Sequence, residues 1–104
     1  MAAALSIFPE SGEITAGLDA CRVTVTGADV NNDDGTQKRY RIRFTPPAEA
    51  ATLIGSGYSY LFNVSADGEH IYNSFIFPLA GSWTVRLHDE EEDSDAATLA
   101  VTVE

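Results

Sequence analysis

Nearly every ordered-looking stretch of this chain repeats with a period of two, and that constrains its fold more than any other feature. In "KRYRIRFTPP", Tyr40, Ile42 and Phe44 alternate with Arg39, Arg41 and Arg43 until Pro46 and Pro47 end the run. Successive side chains of an extended strand point to opposite faces, so the pattern predicts strands with one apolar face. Alternation likewise groups Cys21, Val23 and Val25 in "ACRVTV", and Leu99, Val101 and Val103 in "ATLAVTV". In "SWTVRLH" it buries Trp83, Val85 and Leu87 and exposes Thr84, Arg86 and His88. "YSYLFNV" groups Tyr58, Tyr60, Phe62 and Val64, whereas "HIYNSFIF" is apolar on parts of both faces.

Turn-forming residues separate these runs at 31–35 ("NNDDG"), 55–57, 66–68 and 80–81. "AEAATLIG", residues 48–55, is the one plausible helical turn. The segment "LSIFPESGEITAG" supplies a first edge strand interrupted by Pro9, so residues 1–18 read as an N-terminal arm plus that strand. About seven short strands with no helices between them predict an all-β chain, an antiparallel β-sandwich in a single domain over 1–104.

Charge narrows the partners. The net charge of −10, from 16 acidic and 6 basic side chains, argues against nucleic acid, which needs clustered Lys and Arg on a basic surface. A single cysteine, Cys21, excludes an intrachain disulfide and a cysteine zinc site. No apolar run approaches the ~20 residues of a membrane helix. The N-terminus lacks the basic start of a secretory signal, so the chain reads as a free-standing small protein or as a domain with an added Met. Without secretion, the glycosylation pattern "NVS" at Asn63 reads as chance.

The run "FPLAGSWTVRLHD" resembles the E–F corner and F strand of immunoglobulin-like domains, including the bacterial and bacteriophage type. The correspondence lies in Gly81, then Trp83, then Val85 and Leu87; antibody-type domains have a corner Tyr and a Cys where this chain has Trp83 and Val85. "CRVTV" resembles strand B. The resemblance implies an immunoglobulin-like sandwich in which Cys21 faces Val85 as a small reduced hydrophobe.

Three clusters invite a functional reading. Six of the seven residues from Asp89 to Asp95 are acidic, and Asp89, Glu91, Asp93 and Asp95 alternate as hard oxygen ligands for calcium would. The plainer alternative is a solvated hairpin tip whose like charges guard the strand edges. "NNDDG" is a second oxygen-rich loop, able to form a joint site if the two loops share one end of the sandwich. Arg39, Arg41 and Arg43 are like charges on one strand face, and must either pair with acids inside the domain or meet an acidic surface outside it. The third cluster is aromatic: an exposed Tyr58 or Tyr72 would give a sugar ring a stacking surface.

Catalysis has little to stand on. His70 and His88 lie in no nucleophile or metal motif, and Ser82 lacks the Gly-x-Ser-x-Gly elbow. His88 and Asp89 are adjacent on a strand and point to opposite faces. The chain therefore reads as non-enzymatic and without a cofactor. Its resemblance to small immunoglobulin-like proteins that decorate bacteriophage heads and tails implies synthesis in the host cytoplasm and a place on the virion surface. It further implies binding to a lattice of major capsid or tail subunits, with self-association and weak glycan contact as further expectations. Leu5, Ile7, Phe8, Arg39, Arg41 and Arg43 are the residues expected to dock. The alternative is a carbohydrate- or cell-surface-binding module, with or without calcium at the acidic loop.

Overall fold

Seven strands form two antiparallel sheets in a computed structural model that describes residues 3–49 and 57–104. They are β1 (Ala4–Phe8), β2 (Ala20–Thr26), β3 (Tyr40–Thr45), β4 (Tyr58–Phe62), β5 (His70–Ile76), β6 (Gly81–Asp89) and β7 (Ser94–Val103). One sheet has the order β1-β2-β5 and the other β4-β3-β6-β7. The expected all-β antiparallel sandwich is therefore present. The helical turn expected over 48–55 lies largely outside the described residues.

The period-two faces meet between the sheets. Cys21, Val23, Ile42, Phe44, Phe75, Phe77, Trp83, Val85, Val101 and Val103 form one buried cluster. Phe44 is its hub, with its ring stacked on Phe75 at 3.8 Å and meeting Phe77 edge-on at 6.0 Å. Cys21 is a free, buried thiol in the same cluster as Val85, its pKa raised by burial. Trp83 donates its indole N–H to the Leu79 carbonyl at 2.9 Å, which ties the start of β6 to the backbone four residues upstream.

Two β-bulges explain where simple alternation fails. Cys21 pairs with Phe75 but Val23 pairs with Tyr72, so β5 carries an extra residue between them. That insertion returns Tyr72, Phe75 and Phe77 to a common inner face and leaves Ile71 and Ile76 about half exposed outside. In β7, Leu87 pairs with Ala97 and His88 with Asp95, so the extra residue is Ala96. This second bulge turns Asp95 to the outer face, beside His88.

The N-terminal segment serves both sheets. β1 pairs with β2, and after the cis Phe8–Pro9 bond the chain crosses to the other sheet. There Ile14 is buried and bridges Val103 in parallel, with Gly12 N–H on the Thr102 carbonyl at 2.9 Å and Glu104 N–H on the Ile14 carbonyl at 2.8 Å. The expected edge strand is thus two pieces, the second of which covers the open edge of β7.

Replacing Phe44 by Ala should cost about 3–5 kcal/mol in a urea unfolding measurement, because the hub ring leaves a cavity among four others. Replacing the exposed Phe8 by Ser should change stability by less than about 0.5 kcal/mol.

Candidate functional site

The acidic turn and the basic strand face come together at one end of the four-stranded sheet. β3 and β6 are paired so that Tyr40 lies opposite Asp89, Arg41 opposite His88 and Arg43 opposite Arg86. The β6–β7 turn therefore begins where β3 begins, and its carboxylates reach back onto β3.

Lys38 and Asp89 form the base of this arrangement. Lys38 shares its side of the strand with Tyr40, Ile42 and Phe44, and Asp89 shares its side with Leu87 and Val85, so both point inward and both are buried. Lys38 Nζ lies 2.7 Å from Asp89 Oδ2. The other carboxylate oxygen accepts the backbone N–H groups of Glu91 and Glu92, each at 3.1 Å, and so shapes the turn. Burial pushes the Asp89 carboxyl up, but the Lys38 ammonium and the turn amides outweigh it and hold the pKa below the ordinary carboxylate value. The Asp89 hydrogen bond raises the Lys38 pKa against the opposing effect of burial. Both groups stay charged, as a buried ion pair must.

Further pairs stack outward from this base. Glu91 accepts the backbone N–H of Arg39 at 3.0 Å and its Nε–H at 3.1 Å, which lowers the Glu91 pKa. Glu90 accepts Arg41 Nε–H at 3.1 Å. His88, expected to be exposed, is on the outer face as alternation requires but is only 8% exposed, because the turn folds over it. Its Nδ1 lies 3.0 Å from Asp95 and its Nε2 3.0 Å from Asp93, with Glu90 at 3.7 Å from Nε2. An ionised carboxylate only accepts hydrogen bonds, so both contacts are satisfied together only by the doubly protonated imidazolium. The Asp95 hydrogen bond, and then that of Asp93, raise the His88 pKa against burial and the neighbouring Arg43 charge. Asp93 itself adopts φ +52°, a left-handed turn conformation that Asp tolerates.

The calcium candidates Asp89, Glu91, Asp93 and Asp95 are consequently directed to different cations: Lys38, Arg39 and His88. Among the described residues no group of three or more His, Cys, Asp or Glu side chains is placed to hold a metal ion. The turn joins β6 to β7, and its carboxylates lie against cations of the same chain, with Glu92 and Asp93 still largely exposed. The 31–35 loop does share this end of the sandwich, since Asn32, Asp33 and Asp34 line one cleft with Glu91 and Glu92. The cation between the two loops is the ammonium of Lys38. Asp34 accepts the Thr36 backbone N–H at 3.0 Å and the Thr36 hydroxyl at 2.6 Å, bonds internal to the turn.

The residues expected to dock separate. Arg39 and Arg41 are paired within the domain, whereas Arg43 forms no ion pair among the described residues. Leu5 and Ile7 pack against the core, and Phe8 alone of the three is highly exposed, at 68%. Phe8 lies on the β1-β2-β5 sheet and Arg43 on the other, so the two belong to opposite outer faces.

The aromatic residues line the flank where β4 and β5, the edges of different sheets, approach. Tyr60 stacks on Tyr72 at 4.8 Å, Phe62 on His70 at 4.2 Å, and Tyr58 meets Phe75 edge-on at 5.6 Å. Burial, and then the Tyr60 hydroxyl, push the Tyr72 phenol up to about 12. Tyr58 and Tyr60 remain 37% exposed, but Tyr60 and Tyr72 spend ring faces on each other.

Alternation cannot reveal the feature that sets one outer face apart. On the β1-β2-β5 sheet, the outward strand positions Ala4, Ser6, Phe8, Ala20, Arg22, Thr24, Thr26, Ile71, Ser74 and Ile76 contain no carboxylate and one charge, Arg22. Phe8, Ile71 and Ile76 are its exposed large apolar residues.

Fold and site together define an antiparallel β-sandwich whose acidic turn is paired with cations of its own chain. No protein-family model matches the chain, and no curated protein or solved structure was found to match it.

Two outcomes test this electrostatic arrangement. Lys38→Met should destabilise the fold by about 3 kcal/mol, because it leaves Asp89 buried without its cation. The double variant Lys38→Met/Asp89→Leu should recover most of that loss. A raised histidine pKa contributes stability that is full below the ordinary imidazole pKa and is lost as pH rises through the raised value. The Tm difference between the parent and His88→Gln should therefore shrink from about pH 6 to about pH 9. A difference constant over that range would exclude the imidazolium clasp.

Proposed function

We propose that this domain is a non-enzymatic structural protein that attaches to a larger assembly through the outer face of its β1-β2-β5 sheet. The observation that carries the reading is a face without carboxylates on a molecule of net charge −10. There Phe8, Ile71 and Ile76 offer exposed apolar area around a single cation, Arg22. Exposed apolar clusters rimmed by polar residues are a common mark of protein–protein contact.

The resemblance to bacteriophage decoration proteins supplies the partner: a lattice of major capsid or tail subunits on the virion, reached after synthesis in the host cytoplasm. A fold that holds its single cysteine as a buried thiol suits assembly in a reducing compartment. This reading moves the docking surface from the arginine stripe to the opposite sheet. Leu5 and Ile7 then support the surface from inside, and Phe8 belongs to it.

Fractionation of the native source with an antibody tests the assignment. Stoichiometric recovery with a particle rich in one other protein is expected. Recovery with envelope or immobilised glycan would overturn it in favour of a surface-binding module. The variant Ile71→Asp/Ile76→Asp, which alters exposed positions, should retain its fold by circular dichroism and bind particles at least about tenfold more weakly.

A further inference from the structure

Across the molecule from that face, the outer surface of the β4-β3-β6-β7 sheet carries cations in adjacent register positions. Arg41 lies opposite His88, and Arg43 lies opposite Arg86, with Arg41 and Arg43 on the same side of β3. The acidic turn neutralises one end of this block: Glu90 takes Arg41, and Asp93 and Asp95 take His88. It does not reach the far end equally. Arg86 Nε is 3.7 Å from Asp95, its Nη1–H is donated to the Thr45 hydroxyl at 3.0 Å, and Arg43 faces Arg86 directly. Like charges directly opposite on paired strands are destabilising, and Asp95 answers only Arg86, so Arg43 is the cation left without an ion pair among the described residues.

Arg43 lines a trough of about 480 Å³ together with Arg41, Thr45, Gly57, Tyr58, Ser59 and Glu90. The lining supplies hydroxyl groups as well as guanidinium groups. Ser59 already accepts Arg41 Nη1–H at 3.1 Å, which leaves its own hydroxyl hydrogen available to an acceptor. Gly57, at φ +100°, lets the backbone pass close to β3: a Cβ there would lie 2.2 Å from the Phe44 carbonyl oxygen. Glu90 opposes an anion, but it is held by Arg41 and lies within 3.7 Å of His88.

We propose that the Arg43 end of this trough is a binding site for a carboxylate, presented by an acidic side chain of a partner protein. The planar guanidinium fork matches a carboxylate in two parallel hydrogen bonds, and one such group would relieve the repulsion between the two arginines. The molecule's own field repels anions at long range, so free carboxylates bind weakly and the site selects a group delivered by contacts around it. The inference stands apart from the docking face, which lies on the other sheet.

The experiment is a titration of the full chain with sodium acetate, followed by NMR of the arginine Nε–H groups and the Ser59 amide, against sodium chloride at equal ionic strength. Saturable shifts at Arg43 and Ser59 with acetate, and not with chloride, are expected. Arg43→Gln should reduce the apparent affinity at least about tenfold. Equal responses to chloride and acetate, or an unchanged response in Arg43→Gln, would overturn the site. A parallel phosphate titration binding more than about tenfold tighter than acetate would overturn the carboxylate assignment in favour of phosphate.

Discussion

Six carboxylates in seven positions can be held at one turn of an already acidic molecule only if cations meet them, and in this domain the two residues before β3, β3 itself and β6 supply those cations. The pairing of the two strands, with Tyr40 opposite Asp89, brings the acidic turn to the basic start of β3. Lys38 and Asp89 then share a buried ion pair whose second carboxylate oxygen orders the turn through two backbone amides. Buried pairs of this kind contribute little net stability over an apolar substitute, but losing one partner is expensive, so they strongly favour one register. The remaining pairs follow from that placement: Arg39 to Glu91, Arg41 to Glu90 and His88 to Asp93 and Asp95.

Strand positions and core residues were legible because burial on one face of a strand leaves a period of two in the sequence. The same rule already placed Lys38 on the side of Tyr40 and Asp89 on the side of Leu87, so the buried pair was readable by parity. It was hidden because charged residues near a strand end are expected in solvent. The bulges were not legible. The extra residue in β5 and Ala96 in β7 each shift parity by one, and nothing in residue type separates "YNSF" or "SDAA" from regular strand. Because Asp95 reaches His88 only through the second bulge, the burial of His88 was beyond a pattern argument. Likewise, Pro9 marks an interruption but not a crossing to the other sheet; that depends on Ile14 finding the edge of β7.

Internal neutralisation changes what the surfaces offer to partners. A turn with its carboxylates paired is a poorer ligand for calcium or for a basic protein than its composition suggests, since any competitor must first displace Lys38, Arg39 or His88. The surfaces left with unmet potential are elsewhere: the carboxylate-free outer face of β1-β2-β5 and Arg43 at the far end of β3, opposite Arg86. The aromatic flank between β4 and β5 closes the sandwich rather than opening a platform, with Tyr60 stacked on Tyr72 and Phe62 on His70.

What this domain offers a partner depends on whether its acidic turn is satisfied from within. NMR titration of its side-chain carboxyl carbons tests that most directly, with and without calcium at constant ionic strength. Asp89 and Glu91 should titrate below the ordinary carboxylate range, held there by Lys38, Arg39 and the turn amides, and calcium should leave their midpoints unchanged. Ordinary midpoints for both groups, together with calcium-dependent shifts at Asp89, Glu91, Asp93 and Asp95, would contradict it and make the turn an open cation site.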